Sequence, residues 1–296
     1  MTPKSCEIKI GYQCNNRCLF CLNRHKITRK SPTTGQIINH ILNAKKKGIR
    51  IIALTGGEPT IRKDFLTLCN FIVKHGMYLI IHSNGRMFYS ETFVKKLSEI
   101  SKFRFLISVH GHNAEIHDKL TKATNSFRQT KNGITNLLSH GHIVNTNTVI
   151  NTMNLNHLPK ITSFLKDLGV EHIVLTFPEI QGAAEDNIDL IPTYIQGVKY
   201  LRQSINEIKD NNYTLVNFPL CVIPEEMEHI KVKEPFSDYE SGKYWEDASE
   251  RDKTKNIKLP ICEKCKFLKS CPGISKKYFE RYGDSEFCTE VLDKHS

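Results

Sequence analysis

Cys14, Cys18 and Cys21 crowd into the stretch GYQCNNRCLFCLN (11–23). Cysteine thiolates grouped in loops are the ligands of zinc and of iron–sulfur clusters. A spacing of three residues and then two lets one short loop wrap three corners of a cubane. Three thiols are one short of a closed structural site, and a metal that does chemistry keeps a position open. A second group, Cys262, Cys265 and Cys271 in CEKCKFLKSCPG (262–273), again presents three thiols. Structural zinc takes four ligands, often as paired CxxC units. With one CxxC here, zinc and an auxiliary iron–sulfur cluster both remain open.

Other residues invite chemistry less specifically. SVHGHNAEIHDKLT (108–121) holds His110, His112, His117 and Asp118, which suit metal binding or proton transfer. No H-E-x-x-H pattern accompanies them, and a structural or substrate-shaping role is the expectation. Arg17 and Arg24 flank the first cysteine loop and are expected to be solvated. Tyr278 and Tyr282 have helical spacing and are expected to pack a last helix onto the protein. No serine–histidine–acid set and no phosphate loop of the GxxxxGK[ST] type is recognisable.

The elements that must position these residues alternate. Apolar strands, with the turns they run into, are expected at 7–12, 49–59, 78–85, 104–111, 143–151 and 172–179, with amphipathic helices at 33–48, 65–76, 91–100, 130–141 and 158–170. Such alternation implies a parallel sheet with helices outside it. Six strand–helix steps fit a partial barrel, where chemistry gathers at the C-terminal ends of the strands. The cysteine loop, GGEP (56–59), SNG (83–85) and SVHG (108–111) all fall at such ends. One more helix is expected near 193–210 and a last strand near 213–219, followed by an irregular charged segment over 224–258 that includes a surface loop, YWEDASERDKTKN.

The totals set bounds on this reading. The 296 residues carry 42 basic and 31 acidic side chains, a formal charge of +11, which favours polyanionic partners such as RNA. Because Lys is abundant throughout, nucleic-acid binding is admitted and not favoured. No stretch reaches the length of a membrane span, and the first residues lack the apolar run of a secretory signal. A cytoplasmic location is therefore expected. In that reducing setting the ten cysteines point to metal ligation over disulfides.

The CxxxCxxC loop after the first strand, with aromatic Phe20 before its third cysteine, and GGEP after the second strand resemble the radical S-adenosylmethionine superfamily over residues 7 to 180. The resemblance implies an α/β fold, a partial (β/α)6 TIM-type barrel over 1–212, with a small Cys-rich iron–sulfur domain over 213–296. It implies a [4Fe-4S] cluster on Cys14, Cys18 and Cys21, whose fourth iron is chelated by the methionine amino and carboxylate groups of S-adenosylmethionine. Gly56, Gly57 and Glu58 would then contact that amino group, Phe20 would lie near the adenine, and Ser108 would meet the methionine or ribose part; Ser83 and Asn84 are weaker candidates. The Cx2Cx5C element also looks like that of the SPASM and twitch subgroups, whose auxiliary [4Fe-4S] cluster draws a further cysteine from upstream. Cys221 is the expected fourth ligand, with Cys288 its competitor. Cys6 and Cys69 are expected to be ordinary core residues, which leaves thiols for one auxiliary cluster.

The implied chemistry is reductive cleavage of S-adenosylmethionine to a 5′-deoxyadenosyl radical that abstracts a substrate hydrogen. An electron donor such as flavodoxin or ferredoxin is implied as partner. The first expectation is oxidative modification or crosslinking of a ribosomally made precursor peptide. Radical modification of RNA, a nucleotide or a sugar-derived molecule is the alternative. A non-catalytic iron–sulfur docking protein is the expectation from another class, and the intact GGEP argues against it.

Overall fold

The computed structural model describes residues 5–231, 237–240, 243–245 and 255–287. Its central strands are short runs of alternating burial: β1 Ser5–Lys9, β2 Ile51–Thr55, β3 Tyr78–Ser83, β4 Arg104–Ser108, β5 Ile143–Val149, β6 His172–Thr176 and β7 Asn212–Val216. Each pairs in parallel with the next. Helices α1 Thr34–Lys46, α2 Phe65–Lys74, α3 Glu91–Ile100, α4 Ala114–Thr121, α5 Ser126–Ser139, α6 Leu158–Asp167, α7 Ala183–Asp186 and α8 Tyr194–Ile208 fill the crossovers. The expected α/β partial barrel is therefore present, its six strand–helix steps followed by β7.

Local sequence explains most boundaries. Thr33 and Gln36 form a capping box at α1, as do Thr193 and Gln196 at α8, each satisfying otherwise orphaned N–H groups. Ser90 caps α3. On one sheet face Ile8, Leu54, Ile81, Phe105, Ile107, Ile173 and Leu215 are essentially inaccessible under the helices. The alternate residues are half-buried on the other face, because successive side chains of a strand point to opposite sides. Cys6 and Cys69 lie in the core as expected.

Two regions differ from expectation. The segment before β5 holds a helix that the sequence reading omits, α4, and α5 begins four residues earlier than expected. The start of α5 is fixed from a distance: Asp118 accepts from the Asn125 and Phe127 amides and the Ser126 hydroxyl, each at 2.7 Å. The segment 224–258, expected to be irregular, contains β8 Ile230–Lys231, β9 Ser237–Glu240, β10 Lys243–Trp245 and β11 Asn256–Ile257. The sheet order is β10-β9-β1-β2-β3-β4-β5-β6-β7-β8, with β9 parallel to β1. Much of the expected surface loop, residues 246–254, lies outside the described residues.

The remaining strand β12 Ile274–Ser275 pairs with β11 and leads into α9 Lys276–Tyr282. Tyr278 is buried and Tyr282 donates to the Ile191 carbonyl at 2.6 Å, so this helix packs on the barrel as expected. Among the described residues no helix is long and apolar enough to cross a membrane.

Candidate metal centre

Residues 10–24 continue from β1 across the rim formed by the C-terminal strand ends. The loop is strapped on several sides. Arg17 and Leu19 amides donate to the Thr121 and Leu120 carbonyls at the end of α4, and the Ala183 amide donates to the Cys21 carbonyl. Cys14, Cys18 and Cys21 are all partly buried. Burial, together with Glu58 and the Cys21 thiol, pushes the Cys14 thiol up to about 11. Burial and the two companion thiols also raise Cys18, and burial raises Cys21 against the opposing pull of Arg24. The sulfurs nevertheless meet N–H donors; the Asn16 amide lies 3.3 Å from Cys14 Sγ.

This donor set fits an iron–sulfur cluster: the thiolates would repel one another until a cationic group joined them, and N–H groups beside cysteine sulfur are a normal means of tuning it. Among the described residues no three His, Cys, Asp or Glu side chains approach closely enough to share one metal ion. A cubane makes a different demand, one thiolate at each of several corners.

The GGEP turn lies directly against this loop. Gly57 and Glu58 amides donate to the Gly11 and Gln13 carbonyls, both at 2.8 Å, and Asn23 Nδ2 donates to the Gly56 carbonyl at 2.8 Å. A Cβ on Gly57 would stand 2.2 Å from the Gln13 oxygen, and one on Gly56 2.1 Å from the Gly11 oxygen. The close approach that the two glycines permit is thus to the chain's own cysteine loop. Gly57→Ala is expected to cost about 3 kcal/mol, the order of a severe overpacking, measurable as a lowered urea midpoint.

Glu58 is buried, and its carboxylate fastens the turn to the end of β3. Oε1 accepts from Ser83 Oγ at 2.8 Å, from the Thr60 amide at 3.1 Å and from the Thr60 hydroxyl, while Oε2 accepts from the Asn84 amide at 2.7 Å. Burial raises its pKa, opposed by these hydrogen bonds.

Phe20 is buried edge-on against His110, ring centroids 4.8 Å apart. His110 Nδ1 accepts from the Val149 amide at 3.2 Å, and His117 Nδ1 from the His110 amide at 3.2 Å. Burial pushes His110 down to about 3 and His117 to about 4. Both rings are neutral near pH 7 and serve as backbone acceptors. His112 stacks loosely on His157, centroids 5.4 Å apart. Arg17 is exposed, as expected, and Arg24 half-buried.

Ser108 ends β4 opposite Asn147 of β5, and Thr176 of β6 donates to Asn147 Oδ1 at 2.7 Å. These polar side chains belong to the half-buried face, as does His82 of β3, lowered by burial and felt by both Glu7 of β1 and Lys231 of β8. The sequence reading missed Asn147, Thr176 and His82. Their signal is weak: His82 and Thr176 are polar residues near the ends of apolar strands, and Asn147 belongs to the polar run 145–148 of β5.

In the C-terminal segment Cys221 comes up to Cys262, Cys265 and Cys271. Burial raises its thiol to about 12, with the three other sulfurs adding to the effect. The Phe267 and Gly273 amides lie 3.4 Å from the sulfurs of Cys265 and Cys271. Four thiols with N–H donors also fit an iron–sulfur group. Cys288 lies outside the described residues. The module is fastened to the barrel by Glu286, which accepts from the Ile195 amide at 3.0 Å and from the Tyr278 hydroxyl. A cavity of about 820 Å3 lies beside it, lined in part by Tyr194, Lys199, Val222 and Glu286. None of the first cysteine trio borders that cavity.

The family model described as the Radical SAM superfamily matches residues 8–165. An AdoMet-dependent heme synthase of Methanosarcina barkeri (strain Fusaro / DSM 804) is 28% identical over 192 residues, 63% of this chain and 54% of the relative. A probable GTP 3′,8-cyclase of Thermococcus kodakarensis (strain ATCC BAA-918 / JCM 12380 / KOD1) is 30% identical over 117 residues, 39% of this chain and 38% of the relative. The chain thus spans about half or less of these curated relatives. Among solved structures, Streptococcus suis SuiB bound to precursor peptide SuiA superposes with a TM-score of 0.69 at 13% identity, over 94% of this chain and 73% of that one. Native anSMEcpe with bound AdoMet and Cp18Cys peptide gives a TM-score of 0.70 at 16% identity, over 99% of this chain and 94% of that one. At these identities the likeness is one of fold.

Proposed function

Because this chain belongs to the Radical SAM superfamily, we propose that it is an enzyme that cleaves S-adenosylmethionine reductively and oxidatively modifies or crosslinks a ribosomally made peptide. In this reading Cys14, Cys18 and Cys21 hold a [4Fe-4S] cluster with one iron left for the amino and carboxylate groups of S-adenosylmethionine. When bound, the two cofactors supply the reducing electron, the cleavable sulfonium and the power to abstract a hydrogen atom. Gly56, Gly57 and Glu58 carry the backbone that meets the methionine amino group, Phe20 walls the adenine, and Ser108 meets the methionine or ribose part. Ser108, Asn147 and Thr176 present neutral hydroxyl and amide groups, the complement of a peptide's own amides. The auxiliary module expected over 213–296 is drawn in more narrowly, since β7 to β10 of that range belong to the barrel sheet, and within it Cys221, Cys262, Cys265 and Cys271 would hold a second [4Fe-4S] cluster.

The observation that carries the peptide reading is the gathering of Cys221 with the C-terminal trio, in a fold whose likeness to peptide-bound SuiB and anSMEcpe runs through almost the whole chain. The expected partners are a low-potential electron donor such as flavodoxin or ferredoxin and a precursor peptide, and the expected location is the cytoplasm. A second reading, a nucleotide or RNA substrate, is favoured by the charge of +11 and by the cyclase relative named for GTP.

The test is anaerobic reconstitution with iron and sulfide, followed by S-adenosylmethionine, reductant and synthetic peptides made from whatever short reading frames neighbour the gene. The expected result is 5′-deoxyadenosine release that rises with peptide, and a peptide mass lowered by a hydrogen pair. Product from GTP or RNA and none from peptide would favour the second reading. No 5′-deoxyadenosine under any condition would leave a docking protein.

A further inference from the structure

The corner between Cys14 and Cys18 is held from β3. Asn84 Nδ2 donates to Asn15 Oδ1 at 2.6 Å and lies 3.8 Å from Cys14 Sγ. Arg86 Nη1 donates to the Asn15 carbonyl and, at 2.8 Å, to Asn16 Oδ1. Its Nε donates to Gln129 Oε1 on α5 at 2.7 Å, which leaves the guanidinium little freedom.

The turn that presents these two side chains is itself immobilised. The Asn84 amide is bound by Glu58 Oε2, the Asn84 carbonyl accepts from Thr130 Oγ1 at 2.8 Å, and Asn84 Oδ1 accepts from the Arg86 amide at 3.1 Å. Gly85 has φ +80°, and a Cβ on it would stand 2.9 Å from Ile107. A buried carboxylate in the turn after β2, a glycine turn after β3 and a forked cation therefore form one continuous clamp on the cysteine loop.

We propose that Asn84 and Arg86 are positioning residues for the cluster of the Cys14 loop, and that they raise its reduction potential as well as hold its corner closed. The inference rests on the radical SAM reading above. One-electron reduction adds negative charge to the cluster. A fixed cation and an N–H beside cysteine sulfur stabilise that added charge. They also spare the loop the cost of ordering its corner on each encounter with the cofactor. Lysine in place of Arg86 would keep the charge but not the fork that reaches Asn15, Asn16 and Gln129 together.

The experiment is a redox titration of the reconstituted full chain, followed by electron paramagnetic resonance, on wild type, Arg86→Gln, Arg86→Lys and Asn84→Ala. Iron per chain and the circular dichroism melt are measured alongside. Arg86→Gln and Asn84→Ala are each expected to lower the reduced fraction, taken relative to the oxidised, about tenfold at fixed potential, equivalent to about 59 mV for one electron. Arg86→Lys is expected to recover most of that fraction yet lose iron faster in air than wild type. Should Arg86→Gln fail to fold, Asn84→Ala carries the test, since it removes a single side-chain amide. An unchanged potential in folded Asn84→Ala, together with wild-type retention of iron in Arg86→Lys, would overturn the inference and leave the radical SAM reading intact. A wild-type chain with no resonance signal that responds to S-adenosylmethionine would overturn both.

Discussion

Cys14→Ala is expected to abolish 5′-deoxyadenosine release and to leave only the iron of the proposed C-terminal cluster. The expectation follows from the loop that carries Cys14. Its three thiols are the complete protein ligand set proposed for that cluster, and residues 10–24 hold no further cysteine to replace one of them. Loss of partners that merely support a metal ligand costs roughly 10- to 100-fold; loss of the ligand itself should exceed that range. Iron is expected to fall from roughly eight to roughly four per chain, as each proposed [4Fe-4S] cluster would carry four. The control is Cys6→Ala. Cys6 is buried in the core, so its loss removes packing and costs about 1 kcal/mol, with iron and turnover kept. Equal iron in Cys14→Ala and wild type would refute the assignment.

The second large effect separates the two cysteine groups. Cys265→Ala is expected to halve the iron while leaving cofactor cleavage that no longer tracks with substrate modification. The first loop, its GGEP turn and the Glu58 fastening make no contact with Cys265 through any hydrogen bond described above, so cleavage should survive. Cys221→Ala should behave in the same way, because Cys221 is raised by the three other thiols together. Cys288→Ala should retain both clusters. A wild-type chain with only about four irons would defeat the auxiliary assignment, and zinc in their place would show in the same elemental measurement.

What was legible in the sequence was whatever chemistry had written into contiguous residues. Thiols at 14, 18 and 21 and glycines at 56 and 57 sit in single short loops, and the strand–helix rhythm around them is carried by local apolar periodicity. Glu58 illustrates the limit. The motif points to its backbone, whereas its side chain proves to be a fastening for Ser83 and Asn84, a relation set by the β2–β3 register. Asn147 and Thr176 escaped notice for the same reason, since they lie on different strands and meet only across the sheet. The start of α5 was misread because Asp118, which satisfies its first amides, is seven to nine residues upstream. Strands β8 to β11 are two to four residues long, too short for a period of two to register.

The pairing of β9 with β1 also has a consequence for biosynthesis. The strand that launches the cysteine loop keeps one row of amides and carbonyls unsatisfied until residue 240 has left the ribosome, roughly 10–50 s after its own emergence at ordinary elongation rates. Throughout that interval the nascent chain offers a naked margin to any other strand in its vicinity. A truncation that stopped at the end of β7 would keep that margin permanently, and would be recovered in aggregates more often than the whole polypeptide.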